Sequence, residues 1–100
     1  MNANTVDMDR ILTLAEWVVE DMETNLWRVA APSGKEAAQD FANAHEMGLT
    51  ITYTREDSYE GEKTWWFSVY DESGENVDDY RVMLARSWDA IVAKYAEATR

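Results

Sequence analysis

Apolar residues recur every three to four positions over the first quarter of the chain, at Met8, Ile11, Leu12, Ala15, Val18, Val19 and Met22. That spacing predicts an amphipathic helix. Asn4 or Thr5 stands where a cap is needed, and Asp7 and Asp9 suit the positive end of the helix dipole. Opposite the apolar stripe lie Asp9, Thr13, Glu16, Glu20 and Glu23, an almost wholly acidic face. "LWRVA", Leu26 to Ala30, predicts a short strand. After Pro32, Ser33 and Glu36 have the spacing of a capping box and open a second helix, with Ala37, Ala38, Phe41, Ala42 and His45 on one face.

Gly48 ends that helix, and the period changes to two. In "LTITYT", Leu49, Ile51 and Tyr53 alternate with threonines, the pattern of a half-buried strand. The strand–helix–strand order makes the two strands parallel if they share a sheet. "REDSYEGEK", Arg55 to Lys63, reads as the turn of a hairpin into "TWWFSVY", where Trp65, Phe67 and Val69 share one face and Trp66, Ser68 and Tyr70 the other. After a turn at "DESGEN", Asn76 is placed to cap a last helix carrying Tyr80, Leu84, Trp88, Ile91 and Tyr95 inward, flanked by Val77, Met83 and Val92. The expectation is a single α+β domain over residues 1–100. Its order is α-β-α-β-β-α, a three-stranded mixed sheet packed by three helices.

Composition narrows the function. An apolar fraction of 46% supports one core, and the absence of cysteine removes disulfides and thiolate metal sites and fits a reducing cytoplasm. No run approaches the roughly 20 apolar residues of a membrane span, and "MNANTVDMDR" lacks the layout of a signal peptide. Twenty acidic residues against nine basic ones leave a net charge of −11. Such a chain repels polyanions, so direct nucleic-acid binding and docking to an anionic membrane are disfavoured. A basic protein partner is favoured.

Catalytic chemistry finds little support. His45 is the only histidine, at a helix end where a packing role suits it, and "SGK" at Ser33–Lys35 lacks the first glycine and the following Ser/Thr of a phosphate loop. Neither "REDSYEGEK" nor "DESGENVDD" has the spacing of a calcium-binding loop, so no metal or cofactor site is expected. Clustered carboxylates working with a metal as a hydrolase remain the enzymatic alternative.

The charge itself is clustered. Residues 56–79 carry a net −8 and residues 1–24 a net −5, whereas 25–55 is neutral and 80–100 is positive. The candidate partner-binding residues are Glu56, Asp57, Tyr59, Glu60, Glu62, Trp66, Asp71, Glu72, Glu75, Asp78 and Asp79, joined by Glu16, Glu20 and Glu23 of the first segment. Carboxylates three or four apart on a helix sit about 5–6 Å from one another, close enough to engage the same Arg and Lys rows that hold a phosphate backbone. With three helices to place on three strands, Trp66 is either a core residue or a contact; if it is exposed, an aromatic anchor beside desolvatable carboxylates is the composition of a binding hot spot. The competing reading is a solvated acidic face that keeps a monomer soluble.

In its size, its acidic face of Asp9, Glu16, Glu20 and Glu23, and the stretches "REDSYEGEK" and "DESGENVDD", the chain resembles the small anti-CRISPR proteins by which phages and mobile elements block type I systems. The resemblance implies a cytoplasmic, non-enzymatic inhibitor that occupies basic residues of an RNA-guided surveillance complex and keeps target DNA out. An immunity protein neutralising a basic nuclease toxin is the alternative of the same binding class.

Overall fold

A computed structural model describes residues 14–99 of the chain. The first strand, β1, is Ala15–Glu20 and β2 is Leu26–Ala31, followed by helix α1 over Gly34–His45. Then come β3 (Thr50–Tyr59), β4 (Glu62–Tyr70), β5 (Asn76–Leu84) and helix α2 (Ala85–Ala98). The strands form one five-stranded sheet in the order β2-β1-β5-β4-β3, antiparallel at every neighbouring pair. This replaces the expected three-stranded mixed sheet with three helices. Because each pairing reverses direction, β2 and β3 do point the same way, but they lie at opposite edges and never meet.

Two expected helices account for the difference. Residues Ala15–Glu20 are a strand and Met22 and Glu23 lie in the turn that follows it, whereas the part of the expected first helix before Leu14, with Met8, Asp9 and Thr13, lies outside the described residues. β1 runs between β2 and β5 and is covered on both faces, so Val18 and Val19 are both buried. A strand buried on both sides has consecutive apolar residues, and consecutive residues also satisfy a helical spacing. The indole and branched side chains of "WVV" belong on a pleated sheet.

The expected last helix is half strand. Tyr80, Val82 and Leu84 pack on one side of β5 while Met83 turns to the other, so the chain follows a period of two up to Leu84 and the helical period from Ala85 onward. Tyr80 and Leu84 fit either period, which hid the junction. Asn76 is not a helix cap: its side-chain amide donates to the carbonyls of Val69 and Asp78. Leu84 occupies the cap position with no side-chain hydrogen bond.

Helix α1 forms as its sequence predicts. The backbone N–H of Glu36 donates to Ser33 Oγ at 3.2 Å, and Ala37, Ala38, Phe41 and Ala42 are buried. At the first turn, a Cβ on Gly34 would lie 3.3 Å from Val82 and 3.5 Å from the Trp17 ring, so the helix starts close against the sheet and a larger residue there would have to displace the Val82 side chain by a few tenths of an ångström. The main core lies between α1 and the sheet, built from Trp17, Val19, Phe41, Phe67, Val69, Tyr80 and Val82. A smaller core under α2 holds Val18, Met83, Ala85 and Ile91. At the C-terminal end of α1, the His45 ring packs at a tilt against Phe41, 4.3 Å between ring centres, and its Nδ1 donates to the Phe41 carbonyl.

The acidic stretch expected to be a turn is mostly strand. β3 continues to Tyr59 and only Glu60 and Gly61, both with positive φ (52° and 80°), make the turn. A two-residue turn of that hand matches the right-handed twist of the flanking strands. A bulge between Tyr53 and Arg55 shifts the register. Tyr53 therefore pairs with Phe67 on the α1 side, whereas Arg55 pairs with Trp66 on the α2 side.

Candidate functional site

Three connections meet at one end of the sheet: the β1–β2 turn, the link from α1 to β3, and the β4–β5 loop with the start of β5. Across residues 21–25, 46–49 and 71–79 these segments carry eight carboxylates, Asp21, Glu23, Glu46, Asp71, Glu72, Glu75, Asp78 and Asp79, and no Lys or Arg. The backbone N–H of Met22 donates to Asp78 Oδ1 at 3.1 Å, tying the first segment to the third. Glu46, Met47, Gly48 and Leu49 share a depression with Asp71, Glu72 and Ser73, tying the second to the third.

Three of these acids hold backbone in place. Asp21 is buried and accepts from the N–H groups of Glu23 and Asn25 and from the Asn25 amide, closing the β1–β2 turn. Asp71 does the same for the β4–β5 loop, accepting from the Ser73 hydroxyl and from the N–H groups of Ser73 and Glu75. Those bonds, the Ser73 hydroxyl foremost, hold its carboxyl below the usual carboxylate range. Asp78 receives Met22 and its own neighbour Asp79. Burial pushes the Tyr80 phenol up to about 12, and the nearby carboxylates of Asp78 and Asp21 push it the same way. The side chains of Glu23, Glu46, Glu72, Glu75 and Asp79 make no hydrogen bond or ion pair among the described residues.

The other candidate acids lie elsewhere. Glu60 and Glu62 sit at the far end of β4, whose extended chain separates Glu62 from Asp71 by about 30 Å. The −8 stretch of sequence is thus two separate groups in space. Glu56 lies 3.7 Å from Lys63, and Asp57 lies 3.6 Å from Arg55. Glu16 is not on a helical face: on β1 it shares Arg28 with Asp89 of α2, at 2.7 and 2.8 Å. The two acids raise the Arg28 pKa, Asp89 more than Glu16, and Arg28 in turn lowers that of Asp89. Glu20 pairs with Arg81 across β1 and β5, with both side chains 17% exposed.

The two candidate aromatic anchors are already engaged. The Arg81 guanidinium carbon lies 4.0 Å from the centre of the Tyr59 ring and 6.0 Å from that of Trp66, and Arg55 lies 5.2 Å from Trp66 on its other side. Both rings are half-buried. The exposed apolar side chains at or beside the acidic end are instead Met22, Leu26 and Trp27, with Met47 after α1 and Val77 at the start of β5.

Sequence reasoning missed Asp21, Glu46 and these apolar neighbours. The "DMETN" spacing, an acid with an amide four residues on, was the readable signal of the Asp21 turn. Nothing local marks Glu46, which joins the acidic end only because α1 crosses the sheet. No group of three His, Asp or Glu side chains placed to hold a metal ion occurs among the described residues, and no described helix is long and apolar enough to cross a membrane.

Fold and site together define a small α+β domain with one acidic sheet end. Compared with family models, curated proteins and solved structures, the chain matches none of them.

Proposed function

We propose that this protein acts by binding, occupying the phosphate-binding cations of a nucleic-acid-handling partner with the carboxylates at the acidic end of its sheet. The observation that carries this reading is the convergence of eight carboxylates from three separate segments, with no Lys or Arg among those segments. Turn geometry accounts for Asp21, Asp71 and Asp78. It leaves Glu23, Glu46, Glu72, Glu75 and Asp79, whose mutual repulsion costs stability and whose clustering suits Arg and Lys rows on another molecule. An inhibitor of a type I surveillance complex is the particular case implied by the sequence resemblance. An immunity protein against a basic nuclease uses the same chemistry.

The test is capture from a bacterial lysate at low and high salt, beside a Glu72→Lys, Glu75→Lys, Asp79→Lys variant. Nucleic-acid-binding proteins should be retained at low salt, released by salt or by added duplex DNA, and lost with the variant. Retention that ignores both salt and charge reversal would overturn the proposal. A purified type I complex and a basic nuclease then separate the two cases, by loss of target-DNA binding in the first and of nuclease activity in the second.

A further inference from the structure

The sheet has two edges among the described residues, and they are built differently. The β3 edge carries Arg55, Glu56 and Asp57 in succession and a bulge, devices that discourage another strand from adding. The β2 edge has neither. Its six residues pair with β1 in unbroken register, and their one charge, Arg28, reaches inward to Glu16 and Asp89. Alternate residues of an edge strand turn their N–H and C=O groups outward. Beyond the β1 ladder, the β2 backbone makes one further hydrogen bond among the described residues, from Trp17 Nε1 to the Ala31 carbonyl at 2.9 Å.

Beside this edge, a groove of about 410 Å³ runs between β2 and the last turn of α1, lined by Asn25, Leu26, Trp27, Phe41, Ala44 and His45. Leu26 is 45% exposed and Trp27 39%, although they belong to a strand whose other end is buried at Ala31. Glu23 stands two residues before Asn25, and Glu46 directly follows His45, so the groove opens onto the acidic end.

The geometry points to β2 as a docking edge that takes an extended segment of a partner as a sixth strand. That segment places an apolar or aromatic side chain in the Trp27–Phe41 groove and Lys or Arg residues at the end nearest Glu23 and Glu46. Main-chain hydrogen bonds supply affinity in this mode, and the groove and the acidic rim supply selection. The inference rests on the acidic-end reading and deepens it, because it names which flank of that end makes the contact and what the partner presents.

The experiment uses the full chain and a displayed library of short random peptides selected at low salt. Selected peptides should combine an apolar or aromatic residue with Lys or Arg toward one end. Their addition should shift the backbone amide resonances of residues 26–31 and slow hydrogen exchange there. A Leu26→Lys, Ala30→Lys variant, altered only at exposed positions and checked for unchanged circular dichroism, should bind them at least tenfold more weakly. Failure to select such peptides, or unchanged binding by that variant, would overturn the inference. If Glu72→Lys, Glu75→Lys weakens capture of lysate proteins while the β2 variant does not, the acidic-end reading stands and the edge is wrong. If neither variant weakens it, both are wrong.

Discussion

The backbone N–H of Met22 donates to the carboxylate of Asp78 at 3.1 Å, joining the β1–β2 turn to the start of β5 across 56 positions of sequence. Asp78 therefore has a structural duty inside a cluster of like charge. Asp78→Ala removes the acceptor and is expected to cost about 1 kcal/mol. Asp78→Asn keeps an acceptor and removes one charge near Asp21 and Asp79, so it should be at least as stable as the parent protein. Urea denaturation of the two variants decides this: equal losses would mean that the charge, not the acceptor, is what the turn needs.

Glu20 and Arg81 form the most enclosed ion pair among the described residues, and Arg81 Nε is buried with no hydrogen-bond partner. Removing one member leaves the other poorly solvated. Glu20→Ala is expected to destabilise by about 2–3 kcal/mol, and the double change with Arg81→Met should recover a large part of that loss. A double-mutant cycle measures the coupling. Independent, additive effects would show that Arg81 is held by the Tyr59 and Trp66 rings alone.

The β3–β4 turn places a glutamate, Glu60, at φ 52°, a conformation that costs most non-glycine residues and that asparagine tolerates. Glu60→Asn is expected to stabilise by about 0.5–1 kcal/mol. Gly61→Ala, at φ 80°, should destabilise by about 1 kcal/mol despite open space around its Cβ. Thermal melts of the pair should move in opposite directions.

Stability should fall toward both ends of the pH range. Asp71, bonded by the Ser73 hydroxyl, and Asp89, bonded by Arg28, have folded pKa values below the ordinary one. Their contribution is present above the unfolded carboxylate value of about 3.9 and is lost as pH falls through the folded values. Tyr80 has the opposite sign. Its folded pKa is raised to about 12, so its contribution is complete below the unfolded value of about 10 and is lost as pH rises toward 12. Carboxyl titration by NMR and phenolate absorbance should place these groups on the stated sides of their ordinary values.

Thr64 lies on β4 with 1% exposure, and its hydroxyl has no hydrogen-bond partner among the described residues. Thr64→Val keeps the shape and removes the buried polar atom. It should stabilise by about 1 kcal/mol, and a loss of stability instead would reveal a bonded hydroxyl.

By itself the sequence determined what short-range rules control. The Ser33 cap and small-residue face of α1 were legible, as were the strand at Leu26 and the alternation of "TWWFSVY", because each depends on residues only a few positions apart. The charge excess was legible too. Tertiary structure decided the rest. Only the pairing of β1 between β2 and β5 makes "WVV" a strand, and only the packing of α2 divides Tyr80–Tyr95 into strand and helix, since both stretches fit two periods locally. The site moved for the same reason. "REDSYEGEK" and "DESGENVDD" are neighbours in sequence, but an extended strand carries them to opposite ends of the sheet. The antiparallel return of β1 and the crossing of α1 bring Asp21, Glu23 and Glu46 beside Asp71–Asp79 in their place.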